Sequence, residues 1–207
     1  MLHESEGILL RNASWALYEL MLEEAEGQNL RFTYDTGRLS IMSPLPIHER
    51  WKRIIGRCIE DMSLERNVPI ASLGSTTWKR KDLLKGLEGD ECYYIQNEPL
   101  VRGKLHLDLD NDPPPDLAVE IDVTHNPIDR DGIYAALGIA EIWHYDGQSL
   151  RAVGLVGTGT NKSYTSLTRS IAFPFIDPRE LERFIAMLGQ TDETTIVRAW
   201  REHLRAR

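Results

Sequence analysis

Apolar positions along this chain alternate between two periods, and the switches between them outline the elements. From Trp15 to Glu26, Trp15, Tyr18, Leu22 and Ala25 fall on one helical stripe that Gly27 stops. Leu30 to Tyr34 alternates as a strand does. Asp35-Thr36-Gly37 then turns the chain into a second strand with Leu39 and Ile41 on one face. Beyond Pro44 and Pro46, the stretch from His48 to about Arg66 places Trp51, Ile54, Ile55, Cys58, Ile59 and Met62 on one stripe, the clearest helix in the sequence. Strands are expected over Ile70–Lys79, interrupted by Gly74, and over Asp90–Gln96. In the latter, Cys92, Tyr94 and Gln96 face one way and Tyr93 and Ile95 the other.

The loop Asn111-Asp112-Pro113-Pro114-Pro115 excludes helix and central strand, because its prolines lack donors and fix φ. A strand over Asp116–Val123, a helix over Ile128–Leu137 closed by Gly138, and a strand over Glu141–Tyr145 follow. Together they read as a βαβ crossover with parallel strands. Leu150–Val156 and a turn through Gly157–Asn161 lead towards Tyr164, and two helices close the chain at 179–188 and 194–203. Strands interleaved with helices make this an α/β protein. Without a repeat, a low-complexity tract or a linker it reads as one domain over 1–207. Its parts are an N-terminal helix and hairpin at about 13–43, a core at about 48–167 and C-terminal helices at about 179–204.

Composition sharpens this picture. The 207 residues are 42% hydrophobic and 27% charged, which excludes a disordered chain. No long apolar run predicts a membrane span, and the acidic start lacks a secretory n-region, so a cytoplasmic protein is expected. Cys58 and Cys92 fit neither a zinc spacing nor a disulfide framework. The net charge of -8 argues at first against a polyanionic partner. Its distribution reverses that. Asp108, Asp110, Asp112, Asp116, Glu120, Asp122, Asp129 and Asp131 crowd one window with Arg130 as the only base, and the rest of the chain is near neutral. Basic runs lie elsewhere, at Arg50, Lys52, Arg53 and Arg57 and at Lys79, Arg80, Lys81 and Lys85. Each suits either a solvated face or a grip on a nucleic-acid backbone.

The chemistry concentrates in the strand from Asp116 to Val123. Alternation puts Leu117, Val119, Ile121 and Val123 on an apolar face and Asp116, Glu120 and Asp122 on the other. Carboxylates sharing one strand face repel, and hard Mg²⁺ or Mn²⁺ would neutralise them; the competing reading is an edge strand with a solvated acidic face. Arg130, in the first turn of the crossover helix, would either hold a phosphate or bridge to Asp122 or Asp129. The histidines His48, His106, His125 and His144 show no zinc spacing and read as structural, with His125 as the neighbour to watch. Trp78, beside Lys79-Arg80-Lys81, would either stack on a base or pack in the core.

Three segments carry a resemblance. They are Gly86-Leu87-Glu88-Gly89-Asp90-Glu91-Cys92-Tyr93-Tyr94-Ile95-Gln96-Asn97, Pro113-Pro114-Pro115-Asp116-Leu117-Ala118-Val119-Glu120, and Ile133-Tyr134-Ala135-Ala136-Leu137-Gly138-Ile139-Ala140-Glu141-Ile142-Trp143. In this order, with Gly74-Ser75-Thr76-Thr77-Trp78 and Phe173-Pro174, they resemble the Uma family of restriction-endonuclease-like proteins in the PD-(D/E)XK nuclease superfamily. The resemblance implies a restriction-endonuclease-like fold, a central mixed sheet flanked by helices. It implies that Asp90 and Glu120 are the two acids of the superfamily motif and that Asp116 belongs to the family's Pro-Asp-Leu element. It further implies that Mg²⁺ or Mn²⁺ sits among Asp90, Asp116, Glu120 and the Ile121 carbonyl, with Glu49 a possible acid from the first long helix.

Two positions depart from the pattern. Gly89 replaces the usual Pro, and Asp122 stands where the superfamily has its catalytic Lys, with Arg130 at the crossover-helix position where the family's basic residue takes over. The implied activity is metal-dependent endonucleolytic hydrolysis of DNA. Arg50, Lys52, Arg53, Lys79, Arg80 and Lys81 would hold the backbone, Asp122 would help to activate water, and a homodimer would be expected. The alternative is a degenerate nuclease fold that binds nucleic acid or a protein partner without cutting. A glycosidase-like pair of carboxylates lacks a sugar platform.

Overall fold

The computed structural model describes residues 7–123 and 126–207. The strands are β1 Ile8–Arg11, β2 Arg31–Asp35, β3 Arg38–Met42, β4 Ala71–Arg80, β5 Lys85–Tyr94, β6 Leu117–Ile121, β7 Glu141–Tyr145, β8 Leu150–Val156 and β9 Ser163–Leu167. The α-helices are α1 Trp15–Glu24, α2 Pro46–Arg66, α3 Glu98–Val101, α4 Arg130–Leu137, α5 Glu182–Ile185 and α6 Glu193–Arg205. The strands form one mixed sheet in the order β1-β3-β2-β5-β6-β7-β8-β9, with β4 on the other edge of β5. This is an α/β, restriction-endonuclease-like fold.

Both faces of the sheet are covered. On one, Ile54, Ile55, Cys58 and Met62 of α2 pack with Trp200 of α6 onto Tyr93, Val119 and Trp143. On the other, Ile133, Tyr134 and Leu137 of α4 pack onto Cys92, Ala118 and Ile142. A smaller cluster places Trp15 and Tyr18 of α1 over Phe32, Tyr34 and Leu39. The 0% exposure of Leu117 and Val119, with their acidic strand neighbours also buried, excludes the solvated edge strand.

β6 and β7 pair in parallel, with Leu117 opposite Glu141 and Ile121 opposite Tyr145, joined by the expected crossover through α4. That helix starts at Arg130 rather than Ile128, because the Asp129 carboxylate caps it by accepting the Gly132 N–H at 3.1 Å. Gly138, at φ 88°, ends it in the left-handed conformation that Gly tolerates best. The expected helix at 179–188 is a 3₁₀ turn over Pro178–Leu181 followed by the short α5. Strand β1 and helix α3 were not expected.

The largest difference concerns β5, which begins five residues earlier than its alternation suggested and thereby shapes the site. Residues Lys85–Leu87 pair with β2, and residues Glu91–Tyr93 pair with β6. β4 runs along β5 from Lys85 to Tyr94, so β2 and β6 must share the opposite edge, end to end. Between them, Glu88, Gly89 and Asp90 face a fork in the sheet.

Candidate active site at a fork in the sheet

The fork gathers charged side chains from five elements. β5 contributes Glu88 and Asp90, β6 contributes Glu120, the start of β2 contributes Arg31, the first turn of α2 contributes His48, and α4 contributes Arg130. Asp90 and Glu120 are each only 4% exposed, at the bottom of a cavity of about 470 Å³.

Each carboxylate is held by cations and by backbone that the fork leaves unpaired. Asp90 Oδ2 accepts the Ile121 N–H at 2.9 Å and lies 3.2 Å from His48 Nε2. Asp90 Oδ1 meets only Arg31 Nε, at 3.9 Å, among the described residues. Arg130 grips Glu120 with two groups, donating from Nη2 to Oε1 at 2.6 Å and from Nε to Oε2 at 3.1 Å. It also spans the fork, reaching the Thr33 hydroxyl on β2 and the Glu88 carbonyl on β5, each at 2.8 Å. The Tyr134 hydroxyl donates to Glu120 as well. Arg31 binds Glu88 and donates to Ser75 Oγ at 2.9 Å.

Burial and charge act in opposite directions here. Burial pushes the Glu120 carboxyl up to about 7; Arg130 opposes the rise and nearby Asp90 adds to it. Burial would raise Asp90 too, but the His48 hydrogen bond and charge, helped by Arg130, hold it below the ordinary carboxylate range. Burial disfavours charge on His48, yet Asp90 and then Glu49 outweigh it and raise its pKa.

The remaining predicted residues lie at differing distances from this centre. Glu49 sits beside it, its carboxylate shared between Lys52 Nζ at 2.9 Å and Arg31 at 3.4 Å. Asp122 borders the cavity, but its carboxylate turns to His144 Nδ1 at 2.7 Å. The far ring nitrogen of His144 lies 3.3 Å from Asp131. Burial lowers the His144 pKa and the two aspartates raise it, with a net rise to about 9.

The other candidate residues have surroundings of their own. Asp116 lies outside the cluster, since its carboxylate accepts the Ile95 and Asn97 backbone N–H groups at 2.6 and 2.9 Å and the Asn97 side chain at 2.8 Å. It ties the end of β5 to the start of β6. Arg130 bridges neither Asp122 nor Asp129 but Glu120. Lys52 is buried between Glu49 and Ser75 and is not offered to a polymer backbone. Trp78 is 2% exposed and donates its indole N–H to Cys92 Sγ at 3.1 Å, so it packs rather than stacks on a base. Arg53 is exposed, and Arg50 faces Glu193 at 3.6 Å. Lys79 and Arg80 pair with Gly86 and Lys85 at the far end of the β4–β5 hairpin. That is roughly 17 Å along the strand from Asp90 at ~3.3 Å per residue. There Lys79 contacts Glu19, Arg80 contacts Asp82 and Asp110, and Lys81 is exposed. His125 lies outside the described residues.

Arg31 and His48 were missed as site residues. The only signal for Arg31 was that it shares the polar face of β2 with Thr33, opposite Phe32 and Tyr34.

Residues 15–172, more than half of the chain, match the model of the Uma2 family, described as "Putative restriction endonuclease". This chain belongs to the Uma2 family. No curated protein matches it. Its family motifs acquire distinct physical roles. Asp90 and Glu120 meet at the fork, whereas Glu141 is a structural acid that accepts the Ile171 and Ala172 N–H groups, each at 2.7 Å, and the Trp143 indole at 2.6 Å.

The donor chemistry of this Uma2 site fits a hard divalent cation of modest protein ligation. Among the described residues no three acidic, His or Cys side chains form a ready-made cage. Mg²⁺ is commonly held by only one or two carboxylates plus water and substrate phosphate. Asp90 Oδ1 has no hydrogen-bond donor among the described residues and is open to a cation, whereas Glu120 Oε1 accepts from Arg130 Nη2 and the Tyr134 hydroxyl and Oε2 from Arg130 Nε and Nη2, so Glu120 would ligate only by exchanging part of the Arg130 grip.

Proposed function

We propose that this Uma2 protein is a metal-dependent endonuclease that hydrolyses phosphodiester bonds in DNA at the β2–β5–β6 fork. The observation that carries the reading is the meeting of two buried carboxylates, Asp90 and Glu120, with Arg31, His48 and Arg130 in one cavity. Asp90 and Glu120, with the Ile121 carbonyl, would hold Mg²⁺ or Mn²⁺. The bound ion would supply Lewis-acid neutralisation of charge building on the phosphate and a lowered pKa for water.

The chain's own groups do the positioning. Arg130 uses one N–H of Nη1 on Thr33, and its Nε–H and both Nη2 hydrogens on Glu120 and the Glu88 carbonyl. Among the described residues, one of its five donors, on Nη1, remains for a phosphate oxygen. The Nε–H of Arg31 is buried without a hydrogen-bond partner among the described residues and offers a second donor beside Asp90. A guanidinium stays protonated and cannot act as a base, so a proton leaving water would go to a carboxylate, with Asp122 at the cavity edge as the available one. Exposed Arg53 and half-neutralised Arg50, on the outer stripe of α2 leading away from His48, would add a salt-sensitive grip on the backbone.

The test is incubation of supercoiled plasmid and of single-stranded circular DNA with wild type and Glu120→Ala under Mg²⁺ and under Mn²⁺. Nicking by wild type alone supports the reading, and equal activity, or none from either protein, counts against it.

One observation favours a second reading. With Asp122 at the usual Lys position and Glu120 closed on Arg130, the protein would be a nuclease fold that binds nucleic acid without cutting it. Calorimetric titration with Mn²⁺ separates the two. The first requires binding that Glu120→Ala abolishes, and the second predicts no metal binding.

A further inference from the structure

We infer that the cavity over the fork takes an unpaired nucleotide, so that the substrate is single-stranded or flapped DNA rather than an intact duplex. This rests on the nuclease reading above and narrows its substrate.

Three features of the cavity lead there. The first is depth. Asp90 and Glu120 are 4% exposed each, and the cations beside them are nearly as enclosed, with Arg31 at 12% and Arg130 at 15% side-chain exposure. A phosphate must therefore descend into the protein to reach them.

The second is size. About 470 Å³ is the volume of a site for a compact organic ligand and far exceeds a phosphate group.

The third is the division of the walls. The deepest groups are charged, and the more open part mixes polar side chains, among them Asp122, Asp129, Asp131 and Arg151, with two segments of chain that contribute apolar ones. Met42, Pro44 and Leu45 lead into α2, and Val123 and Ile128 lie between β6 and α4. All but Ile128 are half-buried and so present apolar surface that water still reaches.

An intact duplex offers such walls nothing. Its bases are paired and stacked inward, and what it presents is phosphate and sugar, for which an apolar wall costs solvation without return. An unpaired nucleotide presents both kinds of surface that the cavity offers, a phosphate for its cations and a base for its apolar side chains. Its phosphate suits Arg31 and Arg130, and its base offers a flat π-face to the thioether of Met42 and the rings and methyls of Pro44 and Leu45. Unpaired strands meet this requirement without the cost of breaking a pair and a stack.

The test measures fluorescence anisotropy with a labelled single strand, a blunt duplex of the same sequence and a duplex carrying a single-stranded flap. It is run at one fixed low salt, with Ca²⁺ in place of Mg²⁺ and again with no divalent ion. The proteins are wild type, Met42→Glu and Met42→Leu.

Wild type is expected to bind the single strand and the flap at least tenfold more tightly than the blunt duplex. Met42→Glu should reduce that preference to near unity, and Met42→Leu should keep it. Duplex binding equal to or tighter than single-strand binding overturns this inference while leaving the nuclease reading in place. So does an unchanged preference in a Met42→Glu protein whose circular dichroism matches wild type. Binding to none of the three overturns both.

Discussion

His144 carries a pH dependence of folding stability that can be worked out from its surroundings. The ring is 4% exposed and caught between Asp122, 2.7 Å from Nδ1, and Asp131, 3.3 Å from Nε2. Its pKa rises from 6.5 to about 9 in the folded protein. A cation whose folded pKa is raised stabilises the fold fully below the unfolded value. That contribution is lost as pH climbs from 6.5 through about 9. At about 1.4 kcal/mol per unit the full effect would approach ~3 kcal/mol. Asp122 and Asp131 are 39% and 38% exposed, however, and solvent screening reduces the expectation to about 1–2 kcal/mol.

The assay is urea unfolding of wild type and His144→Gln at about pH 6, 7.5 and 9.5. Glu120, raised from 4.5 to about 7, also loses stability with rising pH, but in a lower window. Subtracting variant from wild type removes that shared background. The wild-type advantage should be present at pH 6 and shrink by about 1–2 kcal/mol by pH 9.5. An advantage independent of pH, or an NMR titration of the His144 ring centred near 6.5, would refute the reasoning.

Three further outcomes follow from the packing. Asp116→Ala should lose about 2–4 kcal/mol in urea unfolding, because the Ile95 and Asn97 N–H groups lose their acceptor. Gly89→Ala puts a Cβ 2.9 Å from both Tyr134 Oη and Cys92 Sγ, and should cost about 1–3 kcal/mol. It should also alter the tyrosine fluorescence of the buried ring that donates to Glu120. Trp78→Phe should lower Tm by a few degrees through lost packing and the lost Cys92 contact, while DNA affinity in the anisotropy assay stays unchanged.

How far these features could be read in the chain depends on how local their causes are. Helix α2 shows in its own apolar stripe, and the β6–α4–β7 crossover shows in an acidic strand, an Asp cap and a Gly stop within thirty residues. The early half of β5 was hidden because Gly86 and Gly89 interrupt its alternation. Gly86 is small because Tyr18 Oη would lie 2.5 Å from a Cβ there, a contact from a distant helix.

The acids were visible, but their division of labour was not. Asp116 and Glu120 share a strand face, and only the strand's position along β5 decides their partners. One reaches the Ile95–Asn97 turn and the other reaches Arg130 at the fork. Arg31 and His48 escaped notice for the same reason, since both reach Asp90 from elements far away in sequence.

The central claim, that chemistry occurs at Asp90 and Glu120 and that Asp116 serves only the fold, comes down to one measurement. It is the rate of DNA cleavage per folded molecule, with flapped DNA and plasmid as substrates and Mg²⁺ or Mn²⁺ present. Wild type, Asp90→Asn, Glu120→Gln and Asp116→Asn are compared at a temperature where circular dichroism shows all four folded. The account predicts that Asp90→Asn and Glu120→Gln each lose at least a hundredfold, while Asp116→Asn stays within a few-fold of wild type. Activity that survives in Asp90→Asn and Glu120→Gln, or that disappears in folded Asp116→Asn, would contradict it.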